Sequence, residues 1–167
     1  TSAVVNGTLG FGATLSGLTL VSIKDLGADK SPTAVADDVS YLALAINDLD
    51  LDLIGLESLL EFHGYNVDVL LNKAADAAPL TALETKLDWS SFGANGTGYL
   101  GLDIDTELAA LNATTLGALT DTVDLKVAGG VALNVLDGTL VAKGDFKLEL
   151  GTVTKSAKVY QAMVLTL

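Results

Sequence analysis

The stretch TVDLKVAGGVALNVLDGTLVAKGDFKLELGT, residues 122–152, dictates its own strand pairing. In its first half Val123, Leu125, Val127, Val131, Leu133 and Val135 hold alternate positions, broken only by Gly129. In its second half Leu140, Ala142, Phe146, Leu148 and Leu150 do the same, with Gly144 in the gap. A period of two places these side chains on one face of a strand. Between the halves, Asp137 and Gly138 suit the two-residue type I′ turn, whose central residues both need positive φ. Closing the turn there sets Leu136 against Thr139, and counting outwards pairs Val135 with Leu140, Val127 with Leu148 and Leu125 with Leu150. Gly129 then faces Phe146 and leaves its ring bare backbone to lie over. On the other face Lys126 meets Glu149 and Ala128 meets Lys147, so the apolar side is expected to be the buried one. Turn chemistry, alternation and charge agree on a β-hairpin.

The rest of the chain continues in the same idiom. Residues 3–15 alternate through Val5, Leu9, Phe11, Ala13 and Leu15, and after Gly17 the phase slips to Leu18 and Leu20, as a bulge or tight turn allows. Residues 25–38 collect Gly, Asp, Lys, Ser and Pro and read as a surface loop. Residues 40–53 read as one long strand or two with a kink. Leu42, Leu44 and Ile46 take one face, and after Asn47 the residues Leu49, Leu51 and Leu53 take the other. The segment 55–63, GLESLLEFH, is a short helical candidate with Leu56, Leu59, Leu60 and His63 on one side. Tyr65, Val67, Val69 and Leu71 alternate as a strand, 72–79 reads as a loop, and 83–89 alternates again. A turn at Asn95-Gly96 precedes a strand through Leu100, Leu102 and Ile104, and 108–119 is ambiguous between helix and loop. Residues 159–167 form a last strand. The expected fold is all-β: an antiparallel β-sandwich or stacked β-array with at most one or two short helices.

The 167 residues suit a single β-rich domain, and half of them are apolar, enough for a sizeable core. The formal charge is −12 and every basic residue is Lys. That field repels phosphate backbones and anionic membranes and favours cations, so no nucleic-acid partner is expected. There is no Cys, hence no disulfide and no thiolate metal site. No apolar run of about 18 residues marks a transmembrane helix, and residues 1–20 lack the basic start of a signal peptide. The strand ending at Leu167 stops on an apolar residue, where ends are usually polar, so the chain is expected to be an excerpt. A faint echo between the strands at Tyr41 and Tyr160 suggests a repeat unit of about 120 residues.

Chemistry is sparse. Asp48, Asp50 and Asp52, and again Asp103, Asp105 and Glu107, place carboxylates at alternate positions, where hard oxygen ligands on one face could hold calcium. Against this, a strand with one buried face shows charge on the other, and the EF-hand spacing fails because its glycine position is Leu53. His63, the only histidine, has no G-x-S-x-G partner and reads as a satisfied, half-buried side chain at an element end. Trp89 could stack on a sugar, but a lone aromatic closing an apolar strand is more often core. Gly93, Gly96 and Gly98 do not make a phosphate loop. Asn6, Asn95 and Asn112 lie in N-x-Thr sequons. No nucleophile, base and oxyanion set assembles, so no enzyme is expected.

Three phrases carry a resemblance: VALNVLDGTLVAKGDFKLELGTV at 131–153, NVDVLLNKA at 66–74 followed by LDWSSF at 87–92, and YLALAINDLDLDLIGLE at 41–57. From about Val39 onward the chain resembles the β-rich repeat regions of giant, calcium-associated bacterial surface proteins of the RTX and LEPR-XLL type. The resemblance implies an extracellular or cell-surface scaffold, adhesin or filament segment and carries over no catalytic residue. The family's amino-terminal motif and its calcium-binding nonapeptides are absent. The expectation is a non-catalytic assembly unit that pairs with itself or neighbouring repeats through its edge strands, with Val5, Leu9, Phe11, Val159, Met163 and Leu165 as contact residues. The alternative is an adhesin module that grips calcium or polysaccharide through the acidic ladders and Trp89.

Overall fold

The computed structural model describes residues 8–28, 30–31, 37–76, 83, 85–90, 117–136 and 138–167. Seven strands run in chain order: β1 Gly10–Thr14, β2 Gly17–Asp25, β3 Val39–Ile54, β4 Leu60–Asp76, β5 Val123–Val135, β6 Leu140–Lys155 and β7 Lys158–Thr166. They form one antiparallel, open sheet in the order β1-β3-β4-β5-β6-β7, with β2 also on β3. The all-β expectation holds, and the described residues contain no helix.

The hairpin β5–β6 takes the register expected from its turn. Val135 pairs with Leu140, Gly129 with Phe146, Val127 with Leu148 and Leu125 with Leu150. Lys126 meets Glu149 at 3.7 Å. At the tip, Gly138 has φ +89° and Leu136 φ +52°, and the Thr139 amide donates to the Leu136 carbonyl at 3.2 Å; Asp137 lies outside the described residues. The bare backbone at Gly129 serves the opposite neighbour from the one expected. A Cβ there would meet the Val67 Cα of β4 at 2.7 Å, so β4 rather than Phe146 requires the glycine. A second two-residue turn, with Ser156 and Ala157 both at positive φ, joins Lys155 to Lys158.

Strands β3 and β4 depart from simple counting. Asp48 of β3 (φ +48°) and Asn66 of β4 (φ +50°) are bulges, and the register slips between Ile46 and Leu51. An extra residue reverses the parity of the strand beyond it. Leu49, Leu51 and Leu53 therefore share the face of Leu42, Leu44 and Ile46 rather than taking the other. The slip after Gly17 has the same origin: β1 pairs with β3 beyond the bulge and β2 before it. At the junction the Ser16 amide donates to the Asn47 carbonyl at 3.1 Å.

Three local expectations are corrected. The helical candidate 55–63 is a turn: the amides of Leu59 and Leu60 both donate to the Leu56 carbonyl, and β4 begins at Leu60. So short a helix cannot compete with extending two ladders on either side. The Glu57 carboxylate accepts from the Gly55 amide at 2.8 Å, and that bond with its own amide holds its carboxyl below the ordinary glutamate range. Residues 72–76 continue β4 instead of forming a loop, because they pair with Val39–Ala43 of β3. The segment around Leu83 and Trp89 is an irregular cover rather than a strand, its hydrogen bonds going to single residues of two different segments.

The main buried cluster is not on the side that alternation marked as apolar, although Val67 is buried there. It consists of Val21, Ala43, Ala45, Trp89, Leu119 and Val123, with Ile23, Tyr41, Leu70 and Leu87 around it. Val123 joins the cluster because the β5–β6 register shifts between Val123 and Leu125. Val21, Ala43 and Ala45 alternate with Leu20, Leu44 and Ile46, so the leucines point away from it. On that other face, Leu20, Leu44, Leu71, Leu125, Leu150 and Met163 stand in one row from β2 to β7, and Leu18, Ile46, Val69, Val127, Leu148 and Leu165 in the next.

Candidate functional site

Strand bulges, a buried plug, a groove and two sheet edges are the features that could carry function. The bulges lie side by side across β1/β2, β3 and β4, and carboxylates of the acidic ladder close them. Asp50 Oδ1 accepts from the Asn66 amide at 2.9 Å, and Asp68 Oδ1 accepts from the Asp48 amide at 3.1 Å. Asp48 Oδ2 accepts from Ser16 Oγ at 2.8 Å. Asp52 Oδ1 lies 2.5 Å from His63 Nδ1, and both side chains are exposed rather than half-buried. The ladder thus ties an interrupted backbone together, each carboxylate reaching a different partner. Among the described residues no three His, Cys, Asp or Glu side chains gather as a metal group would. Asp103, Asp105 and Glu107 lie outside the described residues, as do Gly93, Gly96, Gly98 and the sequon residues Asn6, Asn95 and Asn112.

The plug is built on Asn72. Its side chain is fully buried, its Nδ2 donates to the carbonyls of Leu87 (2.9 Å) and Thr120 (3.1 Å), and its Oδ1 accepts from Trp89 Nε1 at 2.9 Å. The Trp89 amide donates to the Leu119 carbonyl at 3.0 Å. One amide side chain thereby holds two non-strand segments on the sheet. Trp89 is 1 % exposed, so its ring is core and is not offered to a sugar. Asn72 is the residue that sequence reasoning missed. Its signal was a lone amide inside the apolar run LLNKA, in a chain with one tryptophan needing a partner for its N–H.

Below Leu71 and Leu125 the strands β4 and β5 part, and a groove of about 580 Å³ opens between Lys73, Lys86, Leu125, Leu150 and Gln161. Lys86 is buried there and its Nζ lies 2.9 Å from Asp124 Oδ1, so the groove's buried cation is already neutralised.

Five of the six residues expected to make edge contacts lie in or beside the edge strands. Phe11 of β1 lies on one edge, Val159, Met163 and Leu165 of β7 lie on the other, and Leu9 immediately precedes β1. All five are more than half exposed. Val5 lies outside the described residues. Among these residues β7 has a strand partner only on its β6 side. No helix in the described residues is long and apolar enough to cross a membrane. The chain matches no family model, no curated protein and no solved structure.

Proposed function

We propose that this chain is a non-catalytic assembly unit of an extracellular surface protein or filament, joined to copies of itself or to neighbouring repeats through its edge strands. The observation that carries the reading is the open sheet, whose last strand β7 offers a nine-residue row of backbone groups beside exposed apolar side chains. Exposed edges of this kind template pairing with another chain, and proteins that avoid it place prolines, inward charges or short strands there. Strand β7 has no proline, and its only charged residue is Lys158, at the turn. The likeness in phrase to surface-protein repeats supports the extracellular setting.

Negative-stain electron microscopy of the purified chain, with and without calcium, tests the reading. Filaments or chains of particles are expected in both conditions, and Val164→Lys at the β7 edge is expected to shorten them. Discrete single particles throughout would overturn the proposal. Association only with calcium would favour the calcium-gripping adhesin module, and Asp50→Ala would then be the variant to abolish it.

A further inference from the structure

We propose that the aliphatic face of the sheet is a second interface, covered by the same face of a second copy of this chain, independently of pairing at the edges. Every strand position on this face, from the Leu20 row through Leu51, Val131 and Leu133 to the Leu140 end, is apolar or glycine. The described segments outside the strands, around Trp89 and Leu119, pack on the opposite face. Leu18, Leu20, Met163 and Leu165 are 57 %, 60 %, 70 % and 57 % exposed.

Size identifies the occupant as a partner surface rather than an ordinary patch. With strands spaced about 4.8 Å and rising about 3.3 Å per residue, the sheet is about 24 Å wide, β2 to β7, along about 20 Å of β5 and about 19 Å wide, β1 to β6, along the other roughly 20 Å. That area, about 860 Å², exceeds the roughly 300–600 Å² of the largest apolar patch on a typical monomer and matches the roughly 800 Å² per partner of a stable interface. Shape favours a second sheet, because two sheets pack face to face about 10 Å apart through alternating side chains like these.

Charge favours another copy over a membrane. Asp50, Asp52, Asp68, Asp145 and Glu149 all alternate onto the other face, and the charged strand positions on this one, Lys24 and Lys73, lie at one end beyond the Leu20 row. In a face-to-face pair the two acidic layers lie outside, separated by more than the Debye length of about 8 Å. A net charge of −12 opposes approach to an anionic bilayer.

The test is sedimentation velocity of the full chain carrying Val164→Lys, which blunts the edge without touching this face. The expected mass is that of two chains, and adding Val127→Lys in central β5 is expected to weaken the pair by about tenfold or more, since it sets like charges against each other in the contact. Emission of Trp89, buried on the far side, reports that the fold survives. If Val127→Lys unfolds the chain by that criterion, Leu20→Lys on the exposed margin of the same face takes its place. A single chain at every concentration, a pair indifferent to the face substitutions, or cosedimentation with phosphatidylcholine vesicles would overturn the proposal. Loss of filaments in Val164→Lys with the pair retained would separate this surface from the edge.

Discussion

The two faces of this sheet are made by the same strands under opposite rules. One is closed locally: small residues, Ala43 and Ala45, leave room for Trp89 and Leu119, and one buried amide pins the cover down. The other is continuous: leucine and valine rows run from edge to edge, and its polar strand positions, such as Ser22, Lys73 and Gln161, lie beyond the Leu20 row at one end. The closed face is therefore specific and brittle, since its polar groups are satisfied only in one arrangement. The continuous face is undirected, and its energy is released only when another apolar surface meets it.

The largest effect is expected from breaking the closed face. Asn72→Ala leaves the Trp89 N–H and the carbonyls of Leu87 and Thr120 without their partner and should cost about 3–5 kcal/mol. Urea unfolding monitored by Trp89 fluorescence measures it; a loss below about 1 kcal/mol would show that the plug is held some other way. Next comes a contrast within the continuous face. Gly129→Ala drives a methyl group into the β4 backbone and should cost about 1–3 kcal/mol, whereas Gly144→Ala enters open space and should gain about 0.5 kcal/mol. Equal effects would remove close approach as the reason for Gly129. Smaller still, Asp50→Ala or Asp68→Ala should cost about 0.5–1 kcal/mol each, because water reaches the freed bulge amides. Any larger loss, or a calcium-dependent one, would give the ladder a role beyond closing the bulges.

The smallest effect lies outside both faces, at the turn before β4. The Glu57 carboxyl is held below its ordinary value by the Gly55 amide and its own, so its contribution is present above the ordinary glutamate range. It is lost as the pH falls through the lowered value. Glu57→Gln should flatten the acid limb of the stability curve slightly, with no change near neutrality.

Legibility in the sequence depended on locality. The β5–β6 register needed only a turn and a count, because every pair is fixed once Leu136 meets Thr139. The β3–β4 pair could not be counted, since bulges at Asp48 and Asn66 are marked by aspartate and asparagine that also read as ordinary polar alternation. The Leu56, Leu59 and Leu60 spacing suggested a helix because periodicity over nine residues does not distinguish helix from a turn between long strands. The larger error concerned the core. Apolar alternation names the apolar face, but burial depends on what lies over it, and Asn72 and Trp89 brought the cover to the other side. The edge positions of Phe11, Val159, Met163 and Leu165 were legible because they sit in the first and last described strands of an open antiparallel order.

Hydrogen–deuterium exchange measured at rising protein concentration separates an assembly unit from a solitary domain. A chain that associates through its open sheet should show β4 and β5 amides protected throughout, while β7 amides exchange quickly when dilute and slow down as the concentration rises. Exchange of β7 that is the same at every concentration would contradict association through that edge.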